Sequence, residues 1–274
     1  MNETVRLFVS DVDGTLVTHE KELTQGTVDA VARLRAAGIP FTLISARPPS
    51  GVIPLVARLG VTGPFAAFNG GTILQVDGTV IERHRVDRDV IAGIFALAEG
   101  SGAVPWLFAD GHWYLTDPNG PRVPRERLSA LQEPVVVDDV TGLFDRIDKL
   151  TWVSDDHARL ADLEARAIAA FGDRATIARS QPYYLDVTHP SANKGDGLVA
   201  LAHAAGVALA ETAVVGDMPN DLPMFARAGL AIAMGQAPEA VRLRAGHVTA
   251  SNDEDGVAKA IDTIILAGQG TPQS

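Results

Sequence analysis

The sequence Val5-Arg-Leu-Phe-Val9, followed by Ser10-Asp-Val-Asp-Gly-Thr15, places two aspartates directly after a short apolar run. A run of this length that ends in a glycine-containing turn is typical of a buried β-strand. In an open α/β sheet, ligands bind beyond the carboxyl ends of the strands. The motif therefore predicts that Asp11 and Asp13 lie at a ligand-binding edge, where they could bind a metal ion and attack a substrate. On the motif alone, an ordinary Asp-rich surface turn is the alternative.

Strands and helices alternate along the first third of the chain and again after residue 193. Apolar runs at 40–45 and 64–68 predict strands, and the spacing of apolar residues predicts helices over 27–37 and 48–59. Apolar strands that alternate with helices indicate βαβ units and a parallel sheet that is covered on both faces. The predicted fold class is therefore α/β.

The middle third of the chain has a different pattern. Residues 72–74 and 80–81 flank a turn and predict a β-hairpin. Prolines and a glycine predict a loop over 118–124. All three Trp and all three Tyr lie between Trp106 and Tyr184. This shift in composition indicates a separate, largely antiparallel α+β insert.

Composition excludes several classes of protein. The chain has 274 residues, and at roughly 150 residues per domain this length predicts one large domain or two ordinary ones. The absence of cysteine excludes disulfides, Cys-ligated zinc, iron–sulfur clusters and thiol catalysis. A net charge of −11 argues against nucleic-acid binding. We recognise neither a signal peptide nor a membrane-spanning stretch, so we expect a soluble, cytoplasmic protein without a membrane partner.

A second acidic motif, Gly216-Asp-Met-Pro-Asn-Asp221, follows the strand predicted at 213–215. It adds Asp217, Asp221 and the amide of Asn220 to the same edge of the sheet, although capping acids alone would be the simpler interpretation. Four carboxylates gathered at one edge repel one another, so a cation is expected there. Oxygen-only ligands favour Mg²⁺.

Other polar residues could bind a phosphate group. Ser45 ends the second strand, and Lys194 is one of only four lysines and opens a predicted helix. A lysine can bind a phosphoryl oxygen and neutralise an acidic cluster. A helix cap for Ser45 and a solvated turn for Lys194 are the alternatives. Arg47 could contact the substrate phosphate or form an internal salt bridge, while Asn69-Gly70 could line the substrate entrance or form only a turn.

Four short motifs, taken in order, resemble those of the haloacid dehalogenase-like phosphatases: Asp11-x-Asp13-Gly-Thr, the hydroxyl residue Ser45, Lys194-Gly195, and Gly216-Asp-x-x-Asn-Asp221. The insert, the Asn69-Gly70 step and the approach from Asp186 to Lys194 are similar to the Cof-type subfamily, whose cap is of the C2B type. The resemblance covers the chain up to its tail. It implies a Rossmann-like core over 1–83 and 187–274 and an inserted α+β cap over 84–186.

The resemblance also implies a role for each motif. Asp11 would be the nucleophile that forms an aspartyl-phosphate, and Asp13 would protonate the leaving alcohol and then deprotonate water. Ser45 and Lys194 would bind the transferring phosphoryl group. A Mg²⁺ ion would be held by the Asp11 carboxylate, the Asp13 backbone carbonyl and Asp217, with Asp221 close by or bound through water.

The expected function is therefore a Mg²⁺-dependent phosphomonoester hydrolase that acts on a small phosphorylated metabolite such as a sugar phosphate. Residues expected to bind phosphate or substrate are Ser45, Arg47, Asn69, Gly70, Lys194 and Asn220. A phosphomutase is one alternative, because relatives with similar caps transfer phosphate between hydroxyls. A non-catalytic binding module on the same fold is the other. The sequence leaves open the substrate, the oligomeric state and the cap residues that set selectivity.

Overall fold

The computed structural model describes residues 5–268, which divide into two units. The first unit contains the chain up to Ala46, Val52–Ile81 and the chain from Asn193 onward. The second contains Arg47–Gly51 and Glu82–Ala192. The second unit therefore occupies mostly the middle third of the chain, where the composition predicts an insert.

A parallel sheet of five strands forms the centre of the first unit. In spatial order its strands are β14 (His247–Val248), β13 (Leu230–Ala233), β12 (Thr212–Gly216), β1 (Leu7–Ser10) and β2 (Phe41–Leu43). Every neighbouring pair is parallel. All four residues of β1 are buried, as expected for an apolar strand in the middle of a covered parallel sheet.

The register of this sheet brings three strand ends to one edge. Ser10, the last residue of β1, lies opposite Val215 of β12 and Leu43 of β2. The chain that follows each of these strands therefore leaves the sheet at the same edge. Asp11 follows β1 at this edge, Ser45 follows β2, and Asp217 follows β12.

The first unit also contains α-helices, some of which have a side-chain cap at their start. They are α1 (Gln25–Ala36), most of α2 (Pro49–Leu59), α6 (Lys194–Ala205), α7 (Leu222–Phe225), α8 (Glu239–Arg242) and α9 (Gly256–Ala260), which continues as a π-helical segment over Ile261–Leu266. The Asn193 side chain accepts a hydrogen bond from the Asp196 backbone and so caps the start of α6. Gly206, in the left-handed region, ends that helix.

A small sheet follows α2 in the chain and consists of β3 (Phe65–Ala67), β4 (Thr72–Leu74) and β5 (Val80–Arg83). The predicted hairpin of residues 72–74 and 80–81 corresponds to β4 and β5, which are neighbours in this sheet. β3 and β4 are antiparallel, and Ile44 forms a parallel bridge to Ala66 of β3. This bridge ties the segment after β2 to the small sheet.

The second unit contains a six-stranded sheet and three helices. In spatial order the strands are β10 (Thr176–Gln181), β11 (Tyr184–Thr188), β9 (Ile147–Val153), β6 (Val104–Ala109), β7 (His112–Leu115) and β8 (Val135–Val136). Neighbouring strands of this sheet are antiparallel except β7 and β8, which are parallel. The helices are α3 (Arg88–Ala98), α4 (Val123–Ala130) and α5 (His157–Phe171). Ile94 of α3, Leu163 of α5 and Leu150 of β9 share one apolar cluster, so this unit has its own core.

The predicted fold class is confirmed: a parallel-sheet α/β core carries an inserted α+β cap. The bounds 1–83, 187–274 and 84–186 stay a prediction, and residues 1–4 and 269–274 lie outside the described part of the chain. No helix within residues 5–268 combines the length and apolarity that crossing a membrane requires.

The loop predicted over 118–124 is wrong at its end, because α4 begins at Val123 and contains Pro124 in its first turn. The backbone N–H groups of a first helical turn have no partner within the helix, so a proline is tolerated there. Pro124 therefore lies in the first turn of a helix and not in a loop.

Asp148 on β9 is a deeply buried carboxylate of the second unit, with a side chain that is 2% exposed. The Nε atoms of Arg83 and Arg85 lie 3.5 and 3.8 Å from its Oδ1 atom. Burial raises the pKa of Asp148 to about 6, while the two arginines oppose the rise. The folded state therefore binds a proton at Asp148 more tightly than the unfolded chain does.

We expect Asp148→Asn to stabilise the protein at neutral pH, because an amide carries no charge that burial penalises. A carboxyl with a raised folded pKa contributes full stability below its unfolded pKa, near 3.8, and loses that contribution as the pH rises through about 6. The advantage of the asparagine should thus be smallest near pH 4 and grow to at most about 3 kcal/mol at pH 7.

Urea unfolding of both proteins across this pH range measures the difference. The exposed aspartate Asp145, changed in the same way to asparagine, serves as the control. A difference between Asp148→Asn and the parent that does not vary with pH would contradict the assigned burial of the charge.

Candidate active site

Asp11 is the first residue beyond the buried end of β1. Its backbone N–H donates to the carbonyl oxygen of Val215, 3.0 Å away, which continues the parallel pairing of β1 with β12 by one residue. The Asp11 side chain is 7% exposed. The sheet register therefore fixes the backbone of this carboxylate, and burial limits its access to water.

Lys194 lies at the centre of the acidic residues. Its Nζ atom is 2.6 Å from Asp11 Oδ1 and 2.6 Å from Asp221 Oδ1, and the side chain is 1% exposed. Lys194 is the first residue of α6, so the Asn193 cap also fixes the position from which the lysine reaches the strand ends. Such charge-assisted hydrogen bonds in a buried setting are strong and directional.

Asp221 holds a tight turn as well as an ion pair. Its Oδ2 atom accepts hydrogen bonds from the backbone N–H groups of Asp217 and Met218, both at 2.8 Å, while its Oδ1 atom faces Lys194. Both oxygens of Asp221 are thus engaged by the protein. This turn orients Asp217, whose Oδ1 atom accepts a hydrogen bond from the Thr15 hydroxyl at 2.8 Å.

Asp11, Asp217 and Asp221 form one group that could hold a metal ion. One carboxylate oxygen from each lies within 4.8 Å of the others, and all three residues are buried. Three formal negative charges face the single positive charge of Lys194, which leaves an excess of two. Oxygen ligands with this excess charge fit a divalent hard cation such as Mg²⁺.

The pKa shifts at the site follow from burial and from charges that lie close together. Burial raises the pKa of Asp11 well above its ordinary value, Lys194 opposes the rise, and the neighbouring aspartates reinforce it. Burial and the charge of Asp221 raise the pKa of Asp217 to about 6. Burial alone would lower the pKa of Lys194, but Asp11 and Asp221 reverse this and raise it. The protein alone therefore does not balance the negative charge of the site.

Gly14 allows the loop after β1 to pass close to Asp217. Its φ of +78° lies in the left-handed region, and a Cβ atom at this position would overlap the carboxylate of Asp217. Its carbonyl oxygen accepts a hydrogen bond from the side-chain amide of Gln236, at 2.5 Å. The glycine of the first motif is thus required both by the backbone conformation and by the space that Asp217 occupies.

Asp13 is placed apart from the three buried carboxylates. Its side chain is 34% exposed, and its Oδ1 atom lies 2.6 Å from the ammonium of Lys21. Its carboxylate does not belong to the group of three oxygens described above. The predicted use of its backbone carbonyl as a metal ligand stays a prediction.

The structure also gives contacts for four residues that were expected to bind substrate. The Asn69 backbone N–H donates to the Ser45 carbonyl oxygen at 2.7 Å, and the Asn220 side-chain amide donates to Asn69 Oδ1 in a long hydrogen bond of 3.4 Å. Gly70, with φ of +99°, packs so closely on Gly197 of α6 that a Cβ atom would lie 2.8 Å from the Gly197 Cα. Their predicted roles toward a substrate stay predictions.

Arg47 is placed with the second unit by its contacts. Its side chain is buried, and its Nη1 atom donates to the carbonyl oxygen of Gly51 at 3.3 Å, within the first turn of α2. This contact is a hydrogen bond to a backbone carbonyl, so both the internal salt bridge and the contact with phosphate stay predictions for Arg47.

Two residues near the acidic edge were missed by the sequence reasoning. Thr15 orients Asp217, and Lys21 pairs with Asp13. Thr15 belongs to the quoted first motif and could have been assigned from it. For Lys21 the available signal was its rarity, since the chain has only four lysines.

Comparisons with known proteins show the family to which the chain belongs. The sequence profile described as haloacid dehalogenase-like hydrolase matches residues 8–261. The chain belongs to the haloacid dehalogenase-like hydrolases. The predicted resemblance to Cof-type phosphatases is thereby confirmed, and the hydrolase is an enzyme of the phosphatase type.

Individual relatives cover nearly the whole hydrolase. A phosphatase relative from Haemophilus influenzae is 32% identical over 91% of this chain and 94% of its own length. A 5-amino-6-(5-phospho-D-ribitylamino)uracil phosphatase from Bacillus subtilis is 27% identical over 97% of this chain and 99% of its own. The crystal structure of a haloacid dehalogenase-like hydrolase from Bacteroides thetaiotaomicron superposes with a TM-score of 0.86 at 28% identity, covering 95% of this chain and all of that chain.

We expect Lys194→Met to destabilise the hydrolase strongly, because it leaves three buried carboxylates without their positive partner. Removal of one member of a buried ion pair costs about 3–5 kcal/mol. Denaturant unfolding of the variant and the parent, both without added metal, measures the loss. Lys259→Met is the matched control, since Lys259 is exposed on α9. Equal unfolding midpoints for the Lys194 variant and the parent would contradict the central role of this ammonium.

Proposed function

We propose that the hydrolase is a Mg²⁺-dependent phosphomonoester hydrolase that works through an aspartyl-phosphate on Asp11. One observation carries the proposal. The Asp11 carboxylate lies at the carboxyl end of β1, an interior strand of the parallel sheet, 2.6 Å from the buried ammonium of Lys194 and grouped with two further carboxylates. This arrangement provides a nucleophile, a positive charge for phosphoryl oxygens and a place for a cation at one edge of the sheet.

Asp11 is suited to attack phosphorus because its position is fixed. An oxygen of its carboxylate forms a bond to phosphorus while the bond from phosphorus to the leaving oxygen breaks, and Asp13 gives its proton to that oxygen. Asp13 then accepts a proton from water as the water attacks the aspartyl-phosphate, which releases phosphate and restores Asp11. Covalent catalysis of this kind divides one difficult step into two easier ones.

Lys194 and Ser45 would bind the transferring phosphoryl group. The lysine already engages Asp11 and Asp221, so its charge is held where negative charge develops during transfer, without reorganisation at the moment of reaction. Phosphoryl transfer depends mainly on such positioning and charge stabilisation. Arg47, Asn69, Gly70 and Asn220 stay proposed substrate-binding residues.

Asp11 and Asp217 are the residues that would hold Mg²⁺ with their carboxylates, together with the backbone carbonyl of Asp13. When bound, the ion would neutralise the excess negative charge of the site and of the phosphoryl oxygens. Asp221, with both oxygens engaged by Lys194 and by two backbone N–H groups, would orient Asp217 rather than supply the ion with a free oxygen.

The proposed substrate is a small phosphorylated metabolite with a sugar-like or polyol part. The name of the 5-amino-6-(5-phospho-D-ribitylamino)uracil phosphatase already described supports a polyol part. An HMP-PP phosphatase from Escherichia fergusonii, which is 26% identical over 89% of both chains, supports only the wider class of small phosphorylated metabolites. We further propose that residues 84–186 form the cap and that this cap recognises the leaving group. All residues proposed for the chemistry lie outside this range.

We expect Asp11→Asn to keep the fold and abolish turnover. The amide has nearly the same shape as the carboxylate but cannot attack phosphorus effectively. The measurement is release of free phosphate from a panel of phosphorylated metabolites in the presence of Mg²⁺. Release of phosphate rather than an isomerised ester separates a phosphatase from a phosphomutase. Parental rates in purified, folded Asp11→Asn would show that Asp11 is not the nucleophile.

Removal of divalent metal should silence the enzyme, and added Mg²⁺ should restore it. Ca²⁺ should replace Mg²⁺ poorly, because its coordination is longer and less rigid. Phosphate release is measured after treatment with chelator and then after titration with each metal. Full activity in excess chelator would exclude a required metal at Asp11 and Asp217.

A further inference from the structure

Lys21 pairs with the residue that the proposed mechanism uses as acid and base. Its Nζ atom lies 2.6 Å from Asp13 Oδ1, and the two side chains are 28% and 34% exposed. Lys21 lies in the loop between β1 and α1, eight residues after Asp13. It touches the functional carboxylate but none of the three buried ones.

The backbone at Lys21 adopts a conformation that lysine does not favour. Its φ is +65°, in the left-handed region, where glycine and asparagine are common and longer side chains are rare. A tight turn holds this conformation. The Lys21 N–H donates to the Thr18 carbonyl at 2.9 Å, and the Thr18 N–H donates to the Glu22 carbonyl at 3.0 Å. The loop thus keeps an unfavourable conformation while it presents a lysine side chain.

The turn is also anchored to a distant part of the same unit. The Asn252 side-chain amide donates to the Val17 carbonyl at 3.0 Å, and Asp253 Oδ1 accepts from the His19 backbone N–H at 2.8 Å. Val17 in turn forms a bridge with Asp13. These contacts fix the backbone between Asp13 and Lys21, and they therefore define the position of Lys21 relative to Asp13.

Folding stability does not account for this arrangement. A partly exposed ion pair adds little to stability, whereas a lysine with positive φ has a conformational cost. Strained backbone held by surrounding contacts is concentrated at functional sites. The feature that the loop preserves is the contact between the ammonium and one oxygen of Asp13.

We propose that Lys21 is a positioning residue that holds the Asp13 carboxylate in the orientation needed to exchange a proton with the leaving oxygen and with water. The proposal rests on the proposed role of Asp13. Catalysis by a general acid requires that the proton donor be placed accurately, and small displacements weaken it. Lys21 supplies this placement by fixing one oxygen of a side chain that burial does not confine.

The test uses esters whose leaving groups differ in basicity. An alkoxide leaving group needs a proton, while p-nitrophenolate is stable enough to leave without one. We measure kcat/KM, which reports the steps up to departure of the alcohol, for glycerol phosphate or another accepted alkyl ester and for p-nitrophenyl phosphate. In Lys21→Met we expect kcat/KM to fall about 10- to 100-fold for the alkyl ester and less than about 3-fold for the aryl ester.

Lys21→Gly separates the side chain from the backbone. Glycine accepts the left-handed conformation without strain, so the turn should persist even if the methionine variant folds poorly. The glycine variant should show the same selective loss on the alkyl ester, and Lys21→Arg, which keeps the charge, should recover part of it. The Mg²⁺ concentration for half-maximal activity should stay unchanged in all three variants. Lys259→Met is the control for loss of a lysine charge elsewhere.

Asp13→Asn provides the reference for loss of the acid itself. Selective loss on the alkyl ester in Asp13→Asn, with no selective loss in Lys21→Met and Lys21→Gly, would overturn the positioning role alone. Equal losses on both esters in Asp13→Asn would instead overturn the acid–base role of Asp13, and the positioning role with it. Parental selectivity in Lys21→Gly would show that the turn, and not the ammonium, matters.

Discussion

The buried ammonium of Lys194, held between Asp11 and Asp221, is the interaction on which the rest of the site depends. Three carboxylates cannot remain ionised side by side in a buried setting without a positive charge among them. Lys194 supplies one such charge, and the two negative charges in excess create a place for a divalent cation. Burial raises the pKa of Asp11 and of Asp217, and the neighbouring carboxylates reinforce the rise. The uncompensated negative charge thus favours a bound cation.

The strands, the helix and the turn around this ammonium place the acidic residues close to it. The parallel register aligns the ends of β1, β2 and β12, the Asn193 cap starts α6 at the lysine, and the Asp221 turn orients Asp217. Asp13 lies outside this rigid group and its side chain is 34% exposed, so its orientation depends on a loop instead of on burial. The proposed chemistry accordingly divides between a fixed, buried nucleophile and an acid placed by Lys21.

Much of the fold followed from local pattern because buried strands and amphipathic helices have distinct periods. The predicted strand over 5–9 agrees with β1 to within two residues at each end. The helix predicted to begin at Lys194 begins there in α6. The prediction missed the start of α4, because prolines at 121 and 124 are as compatible with a loop as with a first helical turn. It also missed Lys21, because a loop lysine has no periodic neighbours that reveal its partner.

By itself, the sequence determined the α/β class, the separate insert and the identity of the acidic residues at the strand ends, since these depend on hydrophobic pattern and on short motifs. Only the tertiary structure decided which oxygens face which partners. Residues 11, 194 and 221 are far apart in the chain, and their distances depend on strand register and on the direction of α6. The engagement of both oxygens of Asp221, the separation of Asp13 from the buried acids and its pairing with Lys21 follow from three-dimensional packing, which no spacing along the chain encodes.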